Sequence, residues 1–360
     1  MQRAGCAPRP RDHADCSRLA YAVFPLDRDG EVNVKSVAGT SFLVVALAAT
    51  LGSSTLTTAT AEASSGDRDE YGQYVGDAGV LDYQVHLPTD YDPSSPTPIM
   101  VALHGCGMTG YGINSMKDTT RFDVVANEED FIVVYPTQSF DRSPQLCWNA
   151  IEPAHQRRGV GEPAMIAGIT ESVIDRYNGD RRDVHVSGAS SGAGLAVALA
   201  VTYPDVFATV TSAAGGEYSY DKAQHDLDRV SPEYTASLAV EEMGDRAKYV
   251  PLLVVQGDRD DVVRPVMAER LTAQWLAIGE ALGQPASTIE STRVEEPHRY
   301  PYTYTRYGDD DGRPSAIESY LVEGMGHVWP GPGAGLFTDA AGIDASRVSW
   351  QFARSHTTPA

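Results

Sequence analysis

Lysine is scarce in this chain of 360 residues: Lys35, Lys117, Lys222 and Lys248 are the only ones, and arginine supplies the remaining positive charge. Basic residues number 28 against 49 acidic ones, which gives a formal net charge of −21. A field of that sign repels phosphate backbones and anionic headgroups, so nucleic acid and membrane surfaces are excluded as partners and a neutral substrate is left unopposed. Long apolar runs are missing as well. Phe42 to Leu51 falls well short of the ~20 apolar residues needed to cross a bilayer. That run follows Lys35 and leads to Ala59-Thr60-Ala61 and Ala61-Glu62-Ala63, which have the small-x-small form of a signal-peptidase site. The pattern predicts a leader over residues 1–63, cleaved after Ala61 or Ala63, and a secreted, extracellular protein. The acidic stretch before Val34 is unusual at the start of a leader and suits translation beginning at Val32 or Val34. Cysteine is rare, with four in the chain. Cys6 and Cys16 would leave with the leader, and Cys106 and Cys147 remain as an even pair able to form one disulfide in an oxidising compartment.

What the chain does have is apolar content, 42 % of its residues, enough for a sizeable core. After a polar linker over residues 64–73, short β-rich runs alternate with helical periodicity. This is the mark of an α/β fold with a mostly parallel central sheet and helices on both faces, here one domain over residues 74–356. Strands are predicted at Leu81–Leu87, Ile99–Leu103, Phe131–Tyr135, Val184–Ser187, Thr209–Ser212, Leu252–Gln256, Tyr302–Arg306 and Ile317–Val322. Helices are predicted at Met116–Ala126, Glu162–Tyr177, Ser191–Tyr203, Tyr234–Met243 and Val266–Leu282. The more polar segment Gly215–Tyr249 sits where such folds often insert a cap.

The chemistry centres on Gly188-Ala189-Ser190-Ser191-Gly192, a G-x-S-x-G turn that closes a strand and opens an Ala-rich helix. A turn this tight leaves no room for a Cβ at either glycine, and it holds the Ser190 hydroxyl on an exposed corner. Ser190 is the candidate nucleophile, and Ser191, next in line, offers its backbone N–H to an oxyanion. A serine at its ordinary pKa needs a base within reach, and in this architecture the order is serine, acid, histidine. His298 lies in a charged stretch and His356 in a C-terminal tail expected to fray. His327, after a strand and a Gly324-Met325-Gly326 turn, is the candidate base. The acid is one of Asp258, Asp260 and Asp261 after the strand ending at Gln256, and spacing does not choose among them. The loop Leu103-His104-Gly105-Cys106-Gly107 stands where a second oxyanion donor belongs, and the Cys106 N–H is the candidate.

With these residues in place the chain resembles the polyhydroxybutyrate depolymerase family of esterases and is similar to feruloyl and acetylxylan esterases. The resemblance covers roughly Tyr83 to His356. It rests on His104-Gly105-Cys106, Cys147-Trp148-Asn149, Gln156-Arg157-Arg158-Gly159 with Gly161-Glu162-Pro163-Ala164, the elbow with Tyr203-Pro204-Asp205, and Glu323-Gly324-Met325-Gly326-His327-Val328-Trp329-Pro330-Gly331. The family pattern H-G-x-x-D-x-x-V corresponds to Gln256 through Val263 and points to Asp260, with Gln256 in place of the usual His. The resemblance implies a serine esterase acting on a polyester or small ester, without metal or organic cofactor and without a protein partner. It leaves Trp148 and Trp329 as candidate lining of the acyl or alcohol pocket.

Overall fold

Among the described residues, strands gather into a ten-stranded sheet, and successive side chains along them feed two separate cores. The computed structural model describes residues 68–309 and 314–356, so the expected leader lies outside the described residues. In chain order the sheet uses β1 (Arg68–Gly76), β2 (Gly79–Leu87), β3 (Thr97–Leu103), β4 (Ile132–Thr137), β5 (Gly179–Ala189), β6 (Thr209–Ala213), β7 (Leu252–Gly257), β8 (Ser287–Val294), β9 (Tyr302–Gly308) and β10 (Ile317–Val322). Their spatial order is β1-β2-β4-β3-β5-β6-β7-β10-β9-β8. The block from β4 to β10 is parallel throughout. Antiparallel pairs, β2 with β1 and β9 with β8, flank it at either side.

Two of these strands lie where the residue pattern predicts none. Part of the segment read as a linker is β1, which pairs along its whole length with β2. Both β1 and β8 are outermost strands with mostly polar, half-exposed or exposed side chains, so they lack the apolar run that marks a buried strand.

The helices are α1 (Met116–Thr120), α2 (Phe122–Glu129), α3 (Gly161–Tyr177), α4 (Ser191–Thr202), α5 (Tyr220–Ala223), α6 (Pro232–Met243), α7 (Val266–Ala281) and α8 (Ala345–Ser355). The single helix expected over Met116–Ala126 is two, because Arg121 turns left-handed (φ 54°) and closes α1 as it opens α2. Ser115 starts α1 by accepting the Asp118 N–H on its hydroxyl. Ile99, Val101 and Leu103 of β3 join α3, α4 and α7 in one core, whereas Met100 and Ala102 join α2 and α8 in the other. That division is the period of two expected when a strand is buried on both sides. Helix α4 is apolar on every side, and its residues from Leu195 to Thr202 are all buried. It therefore serves as a rigid base for the turn that precedes it.

The segment expected to form a cap folds into α5 and α6. Arg270 of α7 pairs with the buried Glu217 and donates to the carbonyls of Leu227 (2.8 Å) and Val230 (2.6 Å). His356, expected in a fraying tail, is held in place: it follows α8, and its ring reaches the Ser315 carbonyl oxygen at 2.8 Å.

Candidate active site

The elbow is built from the constraints its glycines relieve. A Cβ at Gly188 would lie 2.1 Å from the Gly192 carbonyl oxygen, and one at Gly192 would lie 2.3 Å from that of Leu103. Ser190 itself sits at φ 55°, ψ −119°, a conformation that L-residues avoid and that only surrounding structure can hold. Its N–H donates to the Ala213 carbonyl of β6 (2.9 Å), and its own carbonyl accepts from Ala193 and Gly194 in the first turn of α4. Strand, helix and neighbouring strand together fix the corner.

His327 meets this corner from far along the chain. The loop after β10 is stitched to the loop after β7: the Gly324 N–H donates to Asp258 Oδ1 (2.6 Å) and the Arg259 N–H to the Met325 carbonyl (3.0 Å). From that base the His327 Nε2 lies 3.0 Å from Ser190 Oγ, and its Nδ1 lies 2.8 Å from Asp260 Oδ2. A carboxylate only accepts, so Nδ1 carries the proton and Nε2 faces the serine hydroxyl as an acceptor.

The three competing carboxylates have three different situations. Asp260 is buried, and besides His327 it accepts from Gln256 Nε2 (3.2 Å) and from the N–H groups of Val262 (2.9 Å) and Val263 (2.8 Å). Burial works to raise its pKa, but the His327 bond and charge and the two backbone donors outweigh it and hold the carboxyl below its ordinary value. Asp258 fastens the Gly324 turn instead, and Asp261 is exposed.

On the other side of Ser190 lies the loop after β3. A Cβ on Gly105 would stand 3.3 Å from Ser190 Cβ, so this backbone passes against the serine side chain. Cys106 is joined to Cys147 by a disulfide spanning 41 residues of sequence. The N–H groups of Cys106 and Ser191 donate to no described residue. The Ser191 hydroxyl is engaged elsewhere, accepting the Trp148 N–H at 3.3 Å.

Both tryptophans expected to line a pocket are core residues. Trp329 is 2 % exposed, packs edge-on against Phe122 and donates its indole N–H to Ser346. Trp148 is 3 % exposed, and its indole N–H donates to the His104 carbonyl at 3.0 Å. Adjacency to Cys147 and to His327 in the chain does not set the direction of a side chain, and here both point inward.

The residues that sequence reasoning left without a role are those that support the site. Gln256 holds the acid, while His104, Gln138 and Glu162 form a buried polar group behind the Cys106 loop. The signal for them was position. His104, Gln138 and Gln256 all fall at or just beyond the C-terminal ends of parallel strands, where ligands and reacting groups gather in such sheets. Among the described residues, no group of three or more His, Cys, Asp or Glu side chains could hold a metal ion.

This sheet order, with a strained serine between strand and helix followed along the chain by a buried aspartate and then a histidine, defines the class: an α/β-hydrolase. Residues 81–295 match the sequence model of a family described as Esterase PHB depolymerase, and the chain belongs to that family of carboxylic ester hydrolases. It is similar to poly(3-hydroxyalkanoate) depolymerase C of Paucimonas lemoignei, 28 % identical over 71 % of this chain and 61 % of that protein. It spans about three fifths of that relative's length. Feruloyl esterase B of Neurospora crassa is 29 % identical over 64 % of this chain and 78 % of its own, and acetylxylan esterase A of Aspergillus ficuum is 29 % identical over 68 % and 80 %. Among solved structures, an acetyl xylan esterase from Aspergillus awamori superposes with a TM-score of 0.59 at 23 % identity, covering 72 % of this chain and 94 % of that one. This last likeness bears on the fold alone.

Proposed function

We propose that the chain is a secreted serine esterase that cleaves poly- or oligo(3-hydroxyalkanoate) esters through an acyl-enzyme. Ser190 Oγ attacks the ester carbonyl while His327 Nε2 takes its proton, and the carbonyl oxygen becomes an oxyanion facing the N–H groups of Cys106 and Ser191. Collapse of the tetrahedral intermediate breaks the ester C–O bond, and His327 returns the proton to the leaving alcohol. Water, deprotonated by His327, then attacks the acyl-enzyme and releases the acid and free Ser190. Asp260 stays ionised throughout and stabilises the imidazolium. These steps use protein groups and water.

The observation that carries the reading is the 3.0 Å approach of His327 Nε2 to Ser190 Oγ with Asp260 hydrogen-bonded behind it. Export is supported by the leader pattern and by the Cys106–Cys147 bridge, a bond that persists in oxidising compartments. Feruloyl or acetylxylan ester cleavage is the second reading. It is favoured by the larger share of those relatives' length that the chain matches, 78 % and 80 % against 61 % for the depolymerase.

A fluorophosphonate probe is expected to label Ser190, and Ser190→Ala is expected to abolish both labelling and ester hydrolysis while leaving the fold intact. Retained hydrolysis in that variant would refute the assignment. Side-by-side turnover of 3-hydroxybutyrate oligomers, methyl ferulate, acetylated xylan and short nitrophenyl esters separates the two substrate readings.

A further inference from the structure

We infer that His104 is a positioning residue that aims the Cys106 N–H at the reacting oxygen through a buried frame ending at Glu162; the inference rests on the proposed role of that N–H as an oxyanion donor. His104 follows β3 and is 0 % exposed. Its Nδ1 donates to the Gly105 carbonyl oxygen at 2.8 Å. That oxygen and the Cys106 N–H belong to one planar peptide group, so a hydrogen bond that fixes the first fixes the direction of the second. The other ring nitrogen, Nε2, accepts the Gln138 N–H at 3.0 Å. A backbone N–H only donates, so Nε2 is unprotonated and Nδ1 must be the donor toward Gly105. Trp148 closes the arrangement with its indole N–H on the His104 carbonyl and its ring 5.0 Å from the imidazole.

The frame continues through the Gln138 side chain, whose amide nitrogen donates to the Cys147 carbonyl (3.1 Å) and to Glu162 Oε1. Glu162, 0 % exposed at the start of α3, also accepts from the Asn149 N–H and side-chain amide, each at 2.8 Å. Both halves of the disulfide are thereby referred to one carboxylate: Cys106 through the Gly105 peptide and Cys147 through its own carbonyl. A buried polar network of this size carries a desolvation cost that apolar packing would avoid. Through His104 it reaches the carbonyl of Gly105, whose backbone passes against Ser190, and beside a reacting oxygen placement within fractions of an ångström decides the rate.

The test compares His104→Phe, which fills the ring's volume without a donor, with His104→Asn, whose side-chain amide keeps a donor near the position of Nδ1. Each is assayed for kcat and KM on a short nitrophenyl ester and for inhibition by a trifluoromethyl ketone analogue, which forms a tetrahedral adduct. His104→Phe is expected to lose about tenfold or more in kcat with KM within about threefold, and the ketone's affinity should fall by the same factor as kcat/KM. His104→Asn should recover most of both. A folded, disulfide-bonded His104→Phe with unchanged kcat and ketone affinity overturns the inference, as does a loss of kcat without a loss of ketone affinity. If His104→Phe does not fold, a loss of about tenfold or more in His104→Asn has the same force. Fluorophosphonate labelling of the unmodified protein runs alongside: failure to label removes the esterase reading, whereas labelling with an indifferent His104 removes this inference alone.

Discussion

Burial of His104 ties stability to acid in a way that can be measured without any substrate. Its imidazole is wholly enclosed, which pushes its pKa down from the ordinary 6.5 to about 4, and the bond to the Gly105 carbonyl only partly opposes this. As pH falls, the unfolded chain takes up the proton first. Between about 6.5 and about 4 the folded state lacks a proton that the unfolded state holds, so stability declines as pH drops through that window; below about 4 both states are protonated and the contribution levels off. The gap in proton affinity is a factor of roughly 300, or about 3 kcal/mol, a sizeable part of the 5–15 kcal/mol by which domains are ordinarily stable. The assay is urea unfolding of the disulfide-intact protein at steps from about pH 7 to about pH 4, for the unmodified chain and for His104→Asn. Other titrating groups are common to both and cancel in the difference. The variant also loses the acceptor for the Gln138 N–H, but that offset does not depend on pH. The unmodified protein should therefore lose about 3 kcal/mol more than the variant across the window. Parallel curves would refute the reasoning, because they would mean that the ring gains its proton in the folded state as readily as in the unfolded one.

Asp260→Asn removes the acceptor that sets the His327 tautomer and should lower kcat by about 10⁴, whereas Asp258→Asn and Asp261→Asn should cost far less; equal losses at all three positions would contradict the assignment. Gly192→Ala places a methyl 2.3 Å from the Leu103 carbonyl oxygen and 2.5 Å from that of His104, so a thermal melt should show a drop of several degrees or no folded protein. An unchanged melting point would mean the elbow is looser than described. Arg270→Met takes the counter-charge from the buried Glu217 carboxylate, which keeps only the Thr235 hydroxyl as a donor, and leaves two loop carbonyls without theirs, and should cost about 3–5 kcal/mol in denaturant unfolding. A change under about 1 kcal/mol would show that water replaces the arginine freely at the 215–249 segment.

The parts of this molecule that could be read from the chain are those whose physics is local. Gly188 and Gly192 are required by contacts within the turn and with the adjoining backbone, so a strand-to-helix G-x-S-x-G reports its own geometry and puts Ser190 on the corner. The buried strands reported themselves because Ile99 to Leu103 must satisfy a core on either side. β1 and β8 did not, since an outermost strand is specified by its partner's hydrogen bonds rather than by apolar content. α8 escaped for a different reason: its buried face, Ala345, Ser346, Ser349, Trp350, Phe352 and Ala353, keeps helical spacing, but serines fill two of those positions and dilute the apolar signal. The choice of Asp260 over its neighbours depended on Val262 and Val263 turning their N–H groups back onto it and on a histidine 67 residues away. Spacing carries none of that, and only the family pattern pointed to it.

The buried frame behind the Cys106 loop is a stronger case of the same limit. His104 and Gln138 are 34 residues apart and Gln138 and Glu162 are 24 apart, and each is a common polar residue whose meaning comes entirely from the partner it finds. A triad motif is therefore a test of half the machinery. A chain of this family that kept Ser190, Asp260 and His327 but replaced Gln138 or Glu162 with apolar residues would read as an intact esterase. On the argument from the Gly105–Cys106 peptide it would hold its nucleophile correctly and misdirect its oxyanion donor. Its defect would show as weak binding of tetrahedral analogues while fluorophosphonate labelling at Ser190 persisted, and that pair of results separates loss of the frame from loss of the triad.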